Sequence, residues 1–301
     1  LLLEEKVKAA EYQNTLLALA KQDADAARHE ALAANEAKGK FLAHMSHEIR
    51  TPINAVLGMD EMILRESNEP QIKEYAMDIY MASQTLLSLI NDILDFSKIE
   101  SGKMEIVPVE YDVSSLIHDL ANMTIQRAKA KNIKVEVEAS HEIPARLFGD
   151  DVRIRQVLTN ILTNAVKYTH EGSVWLRIAY QRKKDTAALT FEVEDTGIGI
   201  KKEDLPRLSA EFERIEEDRN RNIEGTGLGI NITIQLLELL GSRLQVESEY
   251  GKGSKFYFEL EQKIVDDTPI GDFESRVHQI AENYNYNTKF CAPDAKILVV
   301  D

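Results

Sequence analysis

The sequence is short of several things, and each shortage removes a class of function. A single cysteine, Cys291, excludes an intrachain disulfide and fits a reducing cytoplasmic compartment. Positive charge is in deficit: 36 lysines and arginines face 51 aspartates and glutamates, for a formal net charge of −15. A chain this acidic binds nucleic-acid phosphates poorly, so no direct DNA or RNA partner is expected. No apolar run reaches the ~18 residues that would span a bilayer. The chain begins Leu1-Leu2-Leu3 without methionine and reads as an excised piece, with a sensor or membrane segment upstream of it. Proline is absent before Pro52 and glycine before Gly39, so nothing interrupts a long helix there.

What fills that region is alanine, lysine and glutamate. Leu17, Ala20, Ala24, Ala27, Ala31, Ala34, Phe41 and Met45 recur at alternating spacings of three and four, with Lys38 filling the gap, and make a coiled-coil seam whose signalling coiled coil is expected over residues 1–38. It is a weak seam, since each alanine in place of leucine gives up roughly 2 kcal/mol of burial. The helix continues past Pro52, where a kink is expected, with Ile49, Val56, Met59 and Ile63 on its apolar side. After a turn at Ser67–Pro70, Ile72, Tyr75, Ile79, Ala82, Leu86, Leu89, Ile93 and Phe96 form a much richer stripe. Residues 39–104 thus read as a helical hairpin. One hairpin cannot cover both stripes, so two copies should pair as a dimeric four-helix bundle.

From about Glu105 the pattern becomes an α/β sandwich, over 105–265. Strands are expected at Ile133–Val137, Ser173–Ala179, Ala188–Val193, Arg243–Glu247 and Lys255–Leu260, with helices near 113–131, 151–168 and 227–240. Residues 266–294 read as a linker. The closing AKILVVD, 295–301, reads as an apolar strand of a domain that begins there and is cut.

Three polar signatures sit on this scaffold. In RIRQVLTNILTNAVKYT, Asn160, Asn164 and Lys167 lie opposite the apolar face of a helix. Alone that would be a solvated face. It could also serve chemistry, because an amide oxygen is a hard neutral ligand for Mg²⁺ and lysine neutralises phosphate. EDTGIGI follows a strand directly: Gly197 and Gly199 permit a tight turn, and Asp195 offers a carboxylate that can accept from the exocyclic amine of adenine. EGTGLGI opens a helix, where backbone N–H groups suit phosphates. Neither run is a dinucleotide-binding fingerprint. GKGSK is no Walker A motif either, because Val246 replaces the leading glycine and Gly253 follows the lysine.

With FLAHMSHEIRTP at 41–52, this ordered set resembles the sensor histidine kinases of two-component systems, from about Lys38 to Leu260. The stretch around His47 resembles their H-box, TNILTNAVKYT the N-box, and DTGIGI and GTGLGI the two glycine boxes. GKGSKF resembles the turn that closes the catalytic domain. AKILVVD looks like the first strand of a receiver domain, with Asp301 opening its acidic pair, as in a hybrid kinase. The resemblance implies an ATPase of the Bergerat type, ATP and Mg²⁺ as cofactors, a homodimer, and transfer to a receiver domain in the same chain or to a separate response regulator. It implies the cytoplasmic region of a membrane-bound receptor.

Roles follow by position. His47 would be the phosphoacceptor, with Glu48 as the adjacent base that fixes its tautomer. Thr51 could orient a water against a receiver's phospho-aspartate, so a phosphatase activity is a further expectation, tested by whether nucleotide and the chain speed loss of that phosphate. Asn160 and Asn164 would shape the Mg²⁺ site, with Asn164 the direct ligand. Lys167 and Tyr168 would touch the phosphates, Asp195 would read adenine, and Gly197 and Gly199 would line its pocket. Gly225, Gly227 and Gly229 would hinge a lid over the phosphates, and Arg214 would reach the γ-phosphate. LSAEFER departs from the family's phenylalanine box: Phe212 fits, but Ser209 stands where an aromatic is expected. A zinc protease is excluded because Thr51, not histidine, stands four residues after His47. His44 with His47 lacks a third metal ligand. Two other classes are a gyrase-like ATPase that phosphorylates no histidine and a catalytically impaired scaffold, each separable from a kinase by γ-labelled ATP.

Overall fold

A computed structural model of the chain describes residues 21, 22, 25, 38, 39, 41, 42, 45–129, 131–209 and 227–272. Most of the expected coiled coil, His44, Phe212, Arg214, Gly225, the segment 273–294 and the AKILVVD strand lie outside the described residues. The chain divides into two compact units, Leu1–Glu105 and Ile106–Asp301.

The first unit is a helical hairpin. Helix α1, residues 45–66, runs through Pro52, and α2 is Pro70–Glu100. Ser67 N–H still donates to Ile63 O at 2.9 Å, Glu69 N–H donates to Ser67 Oγ at 3.2 Å, and Pro70 starts the new helix where no N–H is required. Ile53, Leu57 and Ile90 form the buried cluster between the helices, with Tyr80 and Leu87 packed against it. Arg50 donates to Asn91 Oδ1 at 3.0 Å, and Lys38 pairs with Glu100 at 2.9 Å.

The stripes read from periodicity are largely not the ones that close this hairpin. Met59, Tyr75, Ile79 and Leu86 remain 66%, 57%, 47% and 46% exposed. The contact face uses Ile53 and Leu57 on α1 and Ala76, Tyr80, Leu87 and Ile90 on α2. Periodicity reports that a stripe is apolar, not what covers it. On each helix the richer stripe dominated the pattern and the sparser one made the intrachain contact.

Among its described residues, the second unit is a seven-stranded sheet carrying three α-helices. Its elements are β1 Val109–Asp112, α3 Val113–Lys129, β2 Lys134–Ala139, β3 Pro144–Gly149, α4 Asp151–Tyr168, β4 Ser173–Lys183 and β5 Thr186–Asp195. A 3₁₀ turn at Leu205–Ser209, α5 Gly229–Leu239, β6 Gln245–Glu249 and β7 Gly253–Pro269 follow. The order is β1-β3-β7-β5-β4-β2, with β6 also on β7, and only the β2/β4 pair is parallel. Phe191 and Phe258 face each other across β5 and β7 and stack with centroids 5.2 Å apart. With Ile154, Leu158, Ile161 and Leu162 of α4 they are among the fully buried side chains of the core. A polar row crosses the strands beyond that core: Arg177 binds Glu138 at 3.2 Å and Glu192 at 2.8 Å and also Glu194, while Lys255 binds Glu192 at 2.8 Å.

The five expected strands are all present; four are longer than the sequence indicated, and β6 has the expected length but is shifted by two residues. Two others, β1 and β3, were missed because each is a short run without clear alternation. The linker expected from residue 266 is a further correction. Strand β7 continues to Pro269, Ile270 N–H donates to Ile143 O at 2.9 Å, and Gly271 N–H donates to His141 O at 3.2 Å. Side chains 265–269 are exposed, so backbone pairing with β3 holds this stretch and leaves no apolar signature to read.

Candidate functional site

In the helical unit, His47 is exposed on α1, as are Glu48 and Thr51. The Thr51 hydroxyl donates to His47 O at 3.1 Å, one turn back. Among the described residues no hydrogen bond links Glu48 to the His47 ring, so the expected base is adjacent in sequence but not yet engaged. Ser46, the neighbour on the other side, is buried with an unpaired hydroxyl and faces the hairpin. The His47 imidazole is therefore open to solvent.

In the α/β unit, α4 delivers the asparagine face. Its start is fixed by Asp150, which accepts from Arg153 N–H at 3.0 Å and from Val107 N–H at 2.8 Å. Ile154, Leu158, Ile161, Leu162 and Ala165 face the core, which leaves Asn160, Asn164, Lys167 and Tyr168 half-buried. The two asparagines differ. Asn160 Nδ2 donates to Gly229 O at 3.3 Å, with Thr233 Oγ1 at 3.5 Å, so it ties α4 to the first turn of α5. Asn164 makes no side-chain hydrogen bond among the described residues, so its amide oxygen is available as a ligand. The Lys167 ammonium sits 4.8 Å from the Tyr168 ring centre.

Asp195 ends β5 and is only 6% exposed. Burial pushes its carboxyl up to about 6, against the downward pull of N–H donation from Gly197 and Ser254; Glu194 adds a smaller upward push. Gly197 N–H donates to Asp195 Oδ1 at 2.8 Å. A carboxylate has about four acceptor positions, so two backbone donors leave capacity for a third. This is the free acceptor capacity expected to read an exocyclic amine.

The DTGIGI turn is wedged between α4 and the β6–β7 turn. A Cβ on Gly197 would lie 2.5 Å from Tyr168 O, and one on Gly199, which has φ +65°, would strike Glu249 O. Ile198 N–H donates to Tyr168 O at 3.2 Å, Gly251 N–H to Ile198 O at 2.7 Å, and Ile200 N–H to Ser248 Oγ at 2.8 Å. Lys167, Tyr168, Asp195, Gly197 and Gly199 are thereby brought together, and Asn160 meets Gly229. Gly227 has φ +72° just before α5. Ser248 and Ser254 were missed from sequence. Both belong to the VESEYGKGSK stretch, 246–255, whose glycines drew attention while its serines did not. A cavity of about 370 Å³ opens beside the turn, lined by residues including Ile200, Lys201, Ser248 and Tyr250.

Among the described residues no cluster of three or more histidine, cysteine, aspartate or glutamate side chains could cage a metal ion. The unpaired Asn164 amide nevertheless fits Mg²⁺ that arrives with phosphate oxygens, since that ion keeps most of its ligands from water and phosphate. No helix among the described residues is long and apolar enough to cross a membrane.

Comparison with known proteins gives the chain a family. Residues 37–102 match the His Kinase A (phospho-acceptor) domain, and residues 149–264 match the histidine kinase-, DNA gyrase B- and HSP90-like ATPase domain. The chain is 39% identical over 239 residues to hybrid signal transduction histidine kinase B of Dictyostelium discoideum, covering 79% of this chain and 12% of that protein. It is 37% identical over 237 residues to sensor histidine kinase GacS of Pseudomonas protegens, covering 78% of this chain and 26% of that one. The chain thus spans about a quarter or less of these relatives. The structure of full-length ShkA in complex with AMPPNP is similar with a TM-score of 0.61 at 30% identity, over 75% of this chain and 46% of that one. A phospho-acceptor domain followed by an ATPase domain, with sensor-kinase relatives along more than three quarters of its length, shows that the chain belongs to the histidine kinases.

Proposed function

We propose that the chain is an ATP-dependent protein-histidine kinase that phosphorylates its own His47 and passes the phosphoryl group to a receiver-domain aspartate. The observation that carries this is Asp195: a buried carboxylate, backbone-held and short of one donor, beside an asparagine-faced helix, in a chain that also exposes His47. Asp195 accepts from the adenine amine. Lys167 and Tyr168 meet the phosphates, and the glycines at 227 and 229 let the backbone before α5 approach them. Asn164 supplies a neutral oxygen to Mg²⁺, which offsets phosphate charge when bound. Asn160 serves the same site by holding α5 against α4.

The chemical step is an in-line displacement. An imidazole nitrogen of His47 attacks the γ-phosphorus, the bond to the bridging oxygen breaks, ADP leaves, and the ring proton passes to base, with Glu48 next in line to accept it. Two copies of the hairpin pair through the exposed stripes of α1 and α2. The receiver lies in the same polypeptide or on a separate regulator, and the whole works as the cytoplasmic part of a membrane receptor.

The test is incubation with γ-labelled ATP and Mg²⁺. Acid-labile, alkali-stable label on the chain, lost in His47→Gln, is the expected result. Phosphate release without label would instead support an ATPase switch, and neither label nor release a scaffold.

A further inference from the structure

The last four carbonyls of a helix have no partner within it, and those of α4 lie against the candidate nucleotide site. Each is accounted for. Ala165 O accepts from Thr169 twice, from the N–H at 3.1 Å and from the hydroxyl at 2.7 Å. Tyr168 O accepts from Ile198 N–H of the DTGIGI turn. The two between them, Val166 O and Lys167 O, both accept from one side chain, the Lys131 ammonium, at 3.0 and 2.8 Å.

Lys131 is exposed, yet its backbone is fixed on both sides. Its N–H donates to Ala128 O at 3.0 Å, and Ile133 N–H donates to the same carbonyl at 3.1 Å. Between them Asn132 takes φ 60°, the left-handed conformation that asparagine tolerates at the end of a helix. Ile133 is buried, and Lys134 N–H donates to Gly172 O at 3.0 Å, which joins the turn to the start of β4. The turn after α3 is therefore an anchored arm that carries a cation to the negative end of α4. The two peptide groups it grips are those that orient Lys167 and Tyr168.

We propose that Lys131 is a positioning residue for nucleotide binding: it clamps the last turn of α4 so that Lys167 and Tyr168 face the phosphates. This rests on the reading of those two residues given above. Without the ammonium, two adjacent carbonyls must turn to water, and the last turn frays where the site needs it fixed. The clamp acts on binding rather than on the transfer step, because Lys131 touches α4 carbonyls and not the exposed His47.

The experiment compares the unaltered chain with Lys131→Met, which keeps the stem and removes every donor, and Lys131→Arg, which restores donors and charge. Affinity for a fluorescent ATP analogue, KM and kcat for ATP in autophosphorylation, and nucleotide-free Tm are measured for each. Lys131→Met is expected to raise Kd and KM by about three- to tenfold while kcat stays within about twofold, and Lys131→Arg to recover most of the loss. Tm without nucleotide should barely move. Unchanged affinity in Lys131→Met overturns the clamp. So does a loss of affinity that only follows a fall in Tm and that arginine fails to rescue, since Lys131 would then support the fold alone. Should Lys131→Met not fold, Lys131→Arg and Lys131→Gln decide by the same readouts: the clamp requires arginine to bind more tightly than glutamine, and equal affinities overturn it. An unaltered chain without affinity for the analogue would sink the nucleotide reading itself, and the clamp with it.

Discussion

Asp195 is a residue whose task is set against the stability of the chain. Its folded value, about 6, lies above the ordinary 3.8, so folding disfavours the ionised form. The sign follows: the penalty is absent below about pH 3.8, where both folded and unfolded chains are protonated, and complete above about pH 6. At its largest it costs about 3 kcal/mol. Asn at this position carries no charge and can still accept from Gly197 N–H. Asp195→Asn is therefore expected to melt higher than the unaltered chain at pH 7.5 without nucleotide, with the gain gone at pH 3.5. The same variant should lose ATP, because an amide can turn its own N–H toward the adenine amine. Unaltered chain should bind ATP about tenfold more weakly at pH 5 than at pH 7, as protonation removes the acceptor. Calorimetric melts and titrations across that range check both halves, and an Asp195→Asn chain no more stable at pH 7.5 would count against the buried-charge account.

Helix α4 separates two asparagines that sequence could only treat as a pair. The three-and-four spacing exposed Asn160, Asn164 and Lys167 on one face, and the strand-then-glycine order placed Asp195 at a strand end, so the site's residues were legible before its geometry. What periodicity could not show was that the Asn160 amide nitrogen is already donating to Gly229 and Thr233 while that of Asn164 is not. Nor could it show the cross-element contacts that fix the helix end, because Lys131 and Ile198 are 35 and 30 positions from the carbonyls they meet and belong to no local pattern. The difference between the asparagines has a measurable form. Asn160→Ala should lower unfolding stability by about 1 kcal/mol by cutting the tie between α4 and α5, although Gly229 O keeps its bond from the Thr233 hydroxyl at 2.8 Å. Asn164→Ala should leave stability within about 0.5 kcal/mol and abolish the Mg²⁺-dependent part of ATP binding. Denaturant unfolding and Mg²⁺ titrations on both variants test this, and the reverse assignment of effects would exchange their roles.

At the scale of the molecule, the helical unit is unfinished as a single copy. Its internal contact is narrow, and the richer apolar stripe of each helix faces outward. Apolar patches of this kind mark contact surfaces. If a second copy covers them, each substitution acts twice, once per chain across a two-fold interface. Placing charge at two such positions, Ile79→Glu with Leu86→Glu, should raise the dimer dissociation constant by at least about a hundredfold, given about 1.5–3 kcal/mol for each buried side chain. Analytical ultracentrifugation reads this directly. An unaltered chain that sediments as a monomer at tens of micromolar would remove the dimer from the mechanism.

Strand β7 moves the end of the sheet domain outward along the chain. Residues 266–271, expected to swing free, are instead stitched to β3 and to His141 and Ile143. Six residues that would span about 20 Å fully extended are thereby held in the fold. A cut placed after Val265 would therefore sever paired strand at the end of the β3–β7 ladder, inside the sheet rather than outside it.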